Sequence, residues 1–387
     1  SYNLWRVSHR DSGPTATTGP VVGAVFQIVI PALGARQAGL EATLASIAKQ
    51  GYSRWRVSIL SDAPAPAGFV EADGISWSTL AGPDFVTACN RLIGAGGFDW
   101  LWLVEAGDVL EEHALASIQA AASRHPEWQA VYADEDSLED GGQCDRPYFK
   151  PDYLIDFHRA APYALSGGVA FKRELLQQLS GFDVAAEGAE NYDLLLRAYE
   201  KSGASGIGHV ADVLYHRSPE SGHCTRTQDE LIAVRRSVLQ AHLARLGCAA
   251  DVDDGVLPGT FRIRYRLDGN DMVSIIVPTL NGGAFLQRCI GAIVETTDYR
   301  NWELIVVDQE SDDPDTLAFL GLLRDMNNDA VRVITQPRAS RLPALINAGA
   351  RQARGHYLLF MSDATAPLRR DWLDEMLGYA VQPGVGV

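Results

Sequence analysis

Basic residues are scarce in this chain. Its 387 residues include 33 Lys and Arg against 49 Asp and Glu, which gives a formal net charge of -16 at pH 7. Proteins that bind nucleic acid neutralise its phosphates with clusters of Lys and Arg. We therefore expect no nucleic-acid partner.

Cysteines are also few, and they are scattered. The five cysteines show no C-x-x-C spacing, so the sequence indicates neither a zinc site nor a disulfide framework. We expect a cytoplasmic location, because reduced cysteines are typical of that compartment. A long apolar run is missing as well: the longest one near the start, GAVFQIVIPALGA, is too short to span a bilayer. Peripheral association with the inner face of the cytoplasmic membrane stays open.

Length and apolar content, by contrast, are sufficient for folded domains. A chain of 387 residues predicts about two domains, and a hydrophobic fraction of 47% supplies their cores. The chain starts at Ser1 without Met and stops at GVGV. We expect a piece of a longer polypeptide, with further domains beyond Val387.

The clearest pattern is a pair of related stretches. Residues 273–313 predict a buried strand, a turn, an amphipathic helix and a second strand that ends in acids. Residues 26–64 are a weaker copy, in which Pro31 matches Pro278 at an offset of 247. Alternation of strands and helices along the whole chain predicts an α/β fold with mainly parallel sheets. The long repeat indicates duplication of a domain.

We divide the chain into four parts: an N-terminal arm (1–24), a first domain (25–248), a linker (249–271) and a second domain (272–387). Within the first domain, residues 111–124 predict one helix. Residues 130–133 predict a short strand that ends before the acidic DEDS. Residues 140–157 predict a pocket-shaping loop, because turn formers and aromatics alternate there without a clear period.

Polar residues near the strand ends of the second copy predict a ligand site. Asp308 closes a predicted strand, Asn281 follows the strand before it, and Asn347 lies in a later helix. A carboxylate at the carboxyl end of a parallel strand can accept hydrogen bonds from a base or a ribose. The alternative for Asp308 is a solvated acidic turn.

The corresponding positions of the first copy are weaker. Ser61 replaces the carboxylate, with Asp62 directly after it, and Gly34 replaces the first asparagine. Asn90 preserves the match to the later helix. We take Pro31, Asp62 and Asn90 as the candidate donor contacts of this copy.

A second group of acids is a candidate metal site. Glu105 and Asp108 follow the predicted strand 100–104, and Asp363 matches Glu105 at an offset of 258. Carboxylates at such a turn can hold a divalent ion that bridges two phosphates. The alternative for Asp108 is a helix N-cap. His216 in VLYHR is a further candidate ligand, although a single histidine is more often structural.

A third group stands at the start of a predicted helix. Glu190 and Asp193 in EGAENYDLLLR are candidates for a general base. The alternative is that acids in a first helical turn simply favour the helix dipole. The DEDS acids, which precede the aromatic loop, are a weaker sign of a pocket.

Together these motifs resemble family-two glycosyltransferases with a GT-A fold, in particular the tandem enzymes that build bacterial surface polysaccharides such as O-antigen. The resemblance rests on VSIIVPTLN with YRNWELIVVDQES, YADEDSLEDGG with RPYFKPDYLIDF, GFD followed by ENYDLLLR, and VLYHR. It implies one complete GT-A domain followed by the donor-binding half of a second. It also implies inverting transfer of a sugar from a nucleotide-sugar donor to a hydroxyl of a glycan or lipid-linked glycan, assisted by Mg²⁺ or Mn²⁺.

The resemblance also assigns roles to residues. Glu105 and Asp108 fall in the metal motif without its middle acid, His216 completes the metal site, and Asp363 is the surviving acid of the second copy. The position of the catalytic base holds Asn191, and an amide is not a base near neutral pH. The alternative function is therefore a catalytically degenerate binding or scaffold module.

Overall fold

The computed structural model describes residue 2 and residues 23–386, apart from 35–38, 68, 70–73, 81–84, 140–142, 163–167, 220–223, 225 and 327. Most of the predicted arm, 1–24, lies outside these residues. The chain divides into two compact units, Ser1–Cys248 with Val252–Ile263, and Ala249–Asp251 with Arg264–Val387. Each unit is described by itself below.

Strands and helices alternate through the first unit. In chain order the elements are β1 (Phe26–Ala32), α1 (Leu40–Ala48), β2 (Trp55–Ser61), β3 (Ile75–Thr79), α2 (Phe85–Ala95), β4 (Trp100–Leu103), β5 (Val109–Leu110), α3 (Ala114–Arg124), β6 (Ala130–Leu138), β7 (Cys144–Tyr148), α4 (Ile155–Ala160), β8 (Val169–Lys172), α5 (Arg173–Gln178), α6 (Glu190–Ser202), β9 (Ile207–Arg217) and α7 (Gln228–Arg245).

These strands form one sheet in the order β3-β2-β1-β4-β8-β6-β9-β5, with β7 on β6. The four strands β3, β2, β1 and β4 are parallel. Strand β8 runs antiparallel to both neighbours, and β5 and β7 also pair antiparallel. Strands β6 and β9 are again parallel. The prediction of mainly parallel sheets therefore holds for β3, β2, β1 and β4 and for the β6–β9 pair, while β8, β5 and β7 add antiparallel pairs.

The central strand β1 is buried along its whole length. Successive side chains of a strand point to opposite faces. Phe26, Ile28 and Ile30 accordingly pack in the core cluster that contains Leu115, whereas Val29 packs in the cluster of Phe85. Helices cover both faces, and this explains why the strand sequence is a continuous apolar run without polar alternation.

A hairpin of β10 (Ala250–Asp254) and β11 (Phe261–Tyr265) follows α7 in the chain. The segment predicted as a linker, 249–271, thus contains one more strand than its FRIRYRL stretch indicated. The second unit then contains β12 (Val273–Thr279), α8 (Gly283–Thr296), β13 (Trp302–Asp308), α9 (Pro314–Asp325), β14 (Val331–Thr335), α10 (Leu342–Gln352), β15 (Tyr357–Phe360) and α11 (Trp372–Ala380).

The sheet of the second unit repeats the parallel half of the first. Its order, β14-β13-β12-β15, corresponds to β3-β2-β1-β4. The register is the same too: Phe26 pairs with Trp55 in the first unit, and Val273 pairs with Trp302 in the second. Both pairs are related by the offset of 247 found in the sequence. Duplication thus extends to the hydrogen-bonding register of the strands.

Three predicted elements of the first unit differ from the structure. The helix predicted from residue 111 begins at Ala114. Strand β6 continues through the DEDS acids to Leu138, and these acids are buried instead of marking the strand end. The segment 140–157, predicted as a loop, contributes β7 and the first half of α4. The acids stay in the strand because cations from distant parts of the chain neutralise them, as described below.

None of the helices in the described part of the chain is long and apolar enough to cross a membrane.

Candidate functional site

A pocket of about 490 Å³ lies at the carboxyl ends of the strands of the second unit. This edge of an open parallel sheet is where ligands bind in α/β folds. The lining residues come from the ends of β12, β13 and β15 and from the start of α10: Pro278, Thr279, Leu280, Gln309, Leu342, Leu345, Ile346, Phe360, Met361, Ser362 and Asp363.

Asp363 is the carboxylate of this pocket. Its Oδ2 accepts a hydrogen bond of 2.8 Å from the hydroxyl of Thr279 at the end of β12. Gly282 leaves room for it, because a Cβ at that glycine would lie 2.5 Å from the same oxygen. The structure thus places a predicted metal ligand at the pocket and orients it from a neighbouring strand.

Asn281 instead links two turns to each other. Its backbone has a φ of 52°, and its Oδ1 accepts hydrogen bonds from the amides of Asp312 and Asp313, at 2.9 and 3.1 Å. Its Nδ2 donates to Asp312 Oδ1 at 2.6 Å. Asp308 likewise serves the turn after β13, accepting from the Ser311 amide at 3.1 Å. Both predicted donor contacts are therefore engaged in shaping the loops beside the pocket, and neither lines it.

Asn347 is exposed on α10 and is not among the residues that line the pocket. Its counterpart Asn90 has a structural role in the first unit. The Asn90 amide donates to the Phe182 carbonyl at 2.9 Å and accepts from the Phe182 amide at 2.8 Å. It thereby joins α2 to the turn before α6.

The other two predicted donor contacts of the first unit also have structural partners. The Asp62 carboxylate accepts from the Gly34 amide at 3.0 Å, which connects the turns after β1 and β2. Pro31 is buried in β1, where it pairs in register with Leu60.

Asp108, predicted as a metal ligand, uses both carboxylate oxygens within the protein. Oδ2 accepts from the Tyr215 hydroxyl at 2.6 Å, and Oδ1 accepts from the Ser218 amide at 2.7 Å. Burial and the neighbouring Asp108 carboxylate raise the pKa of Tyr215, so the tyrosine remains a hydrogen-bond donor. The amide of Glu105 donates to the same hydroxyl at 3.3 Å.

His216 faces other partners. Its Nδ1 lies 2.6 Å from Asp136 Oδ1 and 3.6 Å from Cys144 Sγ, and its Nε2 lies 3.2 Å from Glu111 Oε2. Burial by itself lowers the pKa of His216, but the hydrogen bonds to Asp136, Cys144 and Glu111 raise it to about 11. The imidazole is therefore held between two carboxylates.

The predicted metal set of Glu105, Asp108 and His216 is not assembled. Across the residues that the structure describes, the His, Cys, Asp and Glu side chains whose ligand atoms converge in a group of three are Asp136, Cys144 and His216. Mg²⁺ and Mn²⁺ prefer oxygen ligands, and both oxygens of Asp108 are taken by Tyr215 and Ser218. A magnesium or manganese ion would have to displace these hydrogen bonds, and the metal role of Glu105, Asp108 and His216 stays a prediction.

The acids of β6 are neutralised one by one. Asp134 accepts from the Lys150 amide and from His209, both at 2.8 Å. Glu135 pairs with Lys150 Nζ at 2.9 Å in a buried salt bridge, and burial lowers the pKa of this lysine. Because His209 lies 75 residues from Asp134 along the chain, the sequence offered only the acid triplet as a signal.

A second pocket, of about 420 Å³, lies beside these acids. Its lining is polar and charged, with Glu135, Asp136, Ser137, Arg146, Tyr148, Arg217, Ser218 and Pro219. Sequence reasoning named the DEDS acids but missed the two arginines. Tyr2, which belongs to the predicted arm, donates to Asp136 Oδ2 at 2.5 Å.

The three candidate catalytic residues lie at the start of α6. Asp193 is held by Arg197, whose guanidinium also donates to the carbonyls of Leu179 and Gly181. Burial raises the pKa of Asp193, and Arg197 opposes that shift. Glu190 is buried and accepts from the Gly188 amide at 2.9 Å, and Asn191 is half-buried. Asp193 therefore has a structural role as part of an ion pair.

Most of the second unit matches the model of a known protein family. Residues 274–387 match the family model described as glycosyl transferase family 2. These residues are thus similar to glycosyl transferase family 2. The predicted resemblance to this family is confirmed over these residues, and the alternating strands and helices confirm the predicted α/β class.

Two curated relatives are similar to this chain over both units. The O-antigen biosynthesis protein RfbC of Myxococcus xanthus is 31% identical over 401 residues, covering 100% of this chain and 31% of the relative. The uncharacterized protein y4gI of Sinorhizobium fredii is 30% identical over 387 residues, covering 94% of this chain and 41% of the relative. The chain thus spans well under half the length of either relative.

Similar solved structures include TarS 1–349 of S. aureus in complex with UDP. Its sequence identity is 16% and its TM-score is 0.44, and the match covers 57% of this chain and 65% of that chain. Another is the mannosyltransferase PcManGT from Pyrobaculum calidifontis in complex with GDP-Man and Mn²⁺. Its identity is 18% and its TM-score 0.41, with coverage of 63% of this chain and 70% of that chain.

Proposed function

We propose that this chain is the glycosyltransferase part of a larger bacterial protein, and that it transfers a sugar with inversion from a nucleotide-sugar donor to a hydroxyl of a surface-polysaccharide acceptor. The observation that carries the proposal is the family-2 match over residues 274–387, which contain the pocket at the strand ends. The name of the M. xanthus relative supports an O-antigen-like acceptor. A lipid-linked acceptor would bring the chain to the inner face of the cytoplasmic membrane.

The donor is proposed to bind in the pocket of the second unit. Side chains such as Leu345, Ile346 and Phe360 supply an apolar wall, and Asp363 supplies the charge. Ligand pockets of this kind combine apolar walls with a few polar groups that fix orientation. We therefore assign nucleotide binding to the pocket of the second unit.

The pocket offers one carboxylate, that of Asp363, as a ligand for a divalent cation. Mg²⁺ is usually bound through one or two carboxylates together with substrate phosphates. Asp363 would be the protein ligand, with Thr279 fixing its orientation through the hydrogen bond to Oδ2. Bound there, the cation would neutralise charge on the leaving diphosphate.

We propose Glu190 as a base for the first unit alone, where it would act on a hydroxyl bound in that same unit. The ion pair with Arg197 commits Asp193, and Asn191 has no basic group at neutral pH. A carboxylate buried to the extent of Glu190 can remove a proton from a hydroxyl held within hydrogen-bond reach.

Nucleotide binding is the direct test. Calorimetry with a panel of nucleoside diphosphates, in the presence of Mn²⁺, should detect binding of one or more of them to the chain. Asp363→Asn should weaken that binding about tenfold or more, since it removes the carboxylate that would hold the cation against the phosphates. Asp325→Asn, which makes the same change at the exposed end of α9, should leave it unchanged. Absence of binding across the panel would contradict the proposal.

A second candidate function is a degenerate binding or scaffold module. It is favoured by Asn191 and by the ion pair that commits Asp193. In this case a complementation assay should retain function when Glu105 and Asp108 are both replaced by alanine, and nucleotides should bind weakly or not at all. Release of sugar from any nucleotide-sugar donor by the chain would reject it.

A further inference from the structure

Three side chains of different chemistry meet next to the charged pocket of the first unit. Asp136 on β6, Cys144 on β7 and His216 on β9 have exposures of 1%, 6% and 3%. Their ligand atoms lie within 4.8 Å of one another. We propose that Asp136, Cys144 and His216 form a binding site for Zn²⁺ that fastens β7 to β6 and to β9.

The distances suit a tetrahedral zinc ion. Zn–S bonds of about 2.3 Å and Zn–N bonds of about 2.05 Å place the two ligand atoms about 3.6 Å apart at the tetrahedral angle. Cys144 Sγ lies 3.6 Å from His216 Nδ1. Asp136 Oδ1 lies 2.6 Å from the same nitrogen, a hydrogen bond that has to widen by about 0.7 Å to admit the metal.

The proton balance of metal binding is simple. The metal takes the place of the proton between His216 Nδ1 and Asp136 Oδ1, and it binds the cysteine as thiolate. Two protons therefore leave when one Zn²⁺ enters a site whose histidine and cysteine are both protonated.

A carboxylate already orients the histidine for this role. Glu111 Oε2 lies 3.2 Å from Nε2 and accepts its proton, so that Nδ1 is the nitrogen presented to the metal. Histidine ligands of zinc commonly donate their other N–H to a carboxylate in this way. Glu111 is thus a positioning residue of the proposed site.

The ligand types distinguish this site from the one expected for a nucleotide donor. A thiolate with an imidazole and a carboxylate selects zinc over Mg²⁺ and Mn²⁺, which favour oxygen. Asp136 also lines the pocket of about 420 Å³, which supplies an entry path and room for a water as the fourth ligand. The site is independent of the proposed donor pocket in the second unit.

Cobalt substitution tests the site without any measurement of activity. The metal-free, reduced chain is titrated with Co²⁺, and a thiolate-to-cobalt absorption band in the near ultraviolet should grow to one equivalent and disappear when Zn²⁺ is added. Cys144→Ser should abolish the band, and Cys248→Ser, a matched control, should keep it. Glu111→Gln should weaken zinc binding by about 10- to 100-fold.

The opposite outcomes would overturn the proposal: no band in the unmodified chain, or the same band in Cys144→Ser. If Cys144→Ser fails to fold, zinc-edge X-ray absorption of the unmodified chain decides. One sulfur at about 2.3 Å with nitrogen and oxygen neighbours supports the site, and a shell without sulfur rejects it.

Discussion

Replacing Glu303 with glutamine should destabilise the second unit. Glu303 lies near the start of β13 with 0% exposure. Its carboxylate accepts hydrogen bonds from the Ser274 hydroxyl at 2.7 Å, from the Arg354 amide and Nε at 2.6 and 2.8 Å, and from Arg332 at 2.7 Å. It therefore connects β12, β13, β14 and the turn after α10.

The pKa of Glu303 sets the size of the effect. Burial by itself raises the pKa, but Ser274, Arg354 and Arg332 together lower it from 4.5 to about 2. That difference corresponds to about 3 kcal/mol of stabilisation at neutral pH. Because the folded state has the lower pKa, the stabilisation is complete above about pH 4.5 and is lost as the pH falls through 2.

Hydrogen exchange followed by mass spectrometry measures this unit separately from the other. In Glu303→Gln, amides of β12 and β13 should exchange about 100-fold faster at pH 7, as expected for a loss of about 3 kcal/mol. Peptides of β1 and β2 in the first unit serve as the internal reference. Glu295→Gln, the same change on the exposed face of α8, should have no effect.

The dependence on pH gives a second readout. Urea unfolding of the second unit should differ between the unmodified chain and Glu303→Gln at pH 7, and the difference should shrink steadily between pH 4.5 and 2. If Glu303→Gln and Glu295→Gln differ by less than about 0.5 kcal/mol at pH 7, the carboxylate does not stabilise the fold as argued.

Three further changes test the loops and the buried ion pair. Asn281→Ala removes three hydrogen bonds and should lower the stability of the second unit by about 2 kcal/mol in thermal unfolding. Gly181→Ala should cost more than about 1 kcal/mol and speed proteolysis of the turn before α6, because the residue has a φ of 77° and its Cβ would lie 2.1 Å from Asn90 Oδ1. Arg197→Leu leaves Asp193 buried without its cation and should cost about 3–5 kcal/mol in urea unfolding.

Each of these changes has a matched control. Asn347→Ala, on the exposed face of α10, should be neutral in thermal unfolding. Gly203→Ala has a similar φ of 68° but open space around its Cβ, so an equal cost at both glycines would contradict the steric argument. For the ion pair, a coupling below about 1 kcal/mol in the double-mutant cycle of Arg197 and Asp193 would show that the contact is unimportant.

The repeated half of the fold was predictable because its information is local. Strands such as β1 and β12 are buried on both faces and appear as apolar runs, and their offset of 247 carried over to the strand register. Helix α9 begins where Asp313 caps the Thr316 amide at 2.8 Å and Pro314 follows. These signals lie within a few residues of the element that they define.

The acidic half of the first unit was not predictable in the same way. Three consecutive acids predict a strand end, because an unpaired buried carboxylate is costly. Strand β6 contains these acids because their carboxylates pair with Lys150, His209 and His216. These partners lie 15 to 80 residues away along the chain. The strand β7 and the helix α4 were missed with them, since they lie in the segment that provides this lysine.

The sequence by itself determined the family, the duplication and the parallel sheet, because runs of apolar residues and turn motifs are properties of neighbouring residues. Only the tertiary structure decided which polar side chains meet. In the structure His216 lies beside Cys144, which is 72 residues away along the chain, and not among the ligands predicted for it. The cysteine spacing of the sequence had indicated no zinc site. Charge pairing and metal ligation depend on distance in space, and the order of strands in a sheet sets that distance independently of separation along the chain.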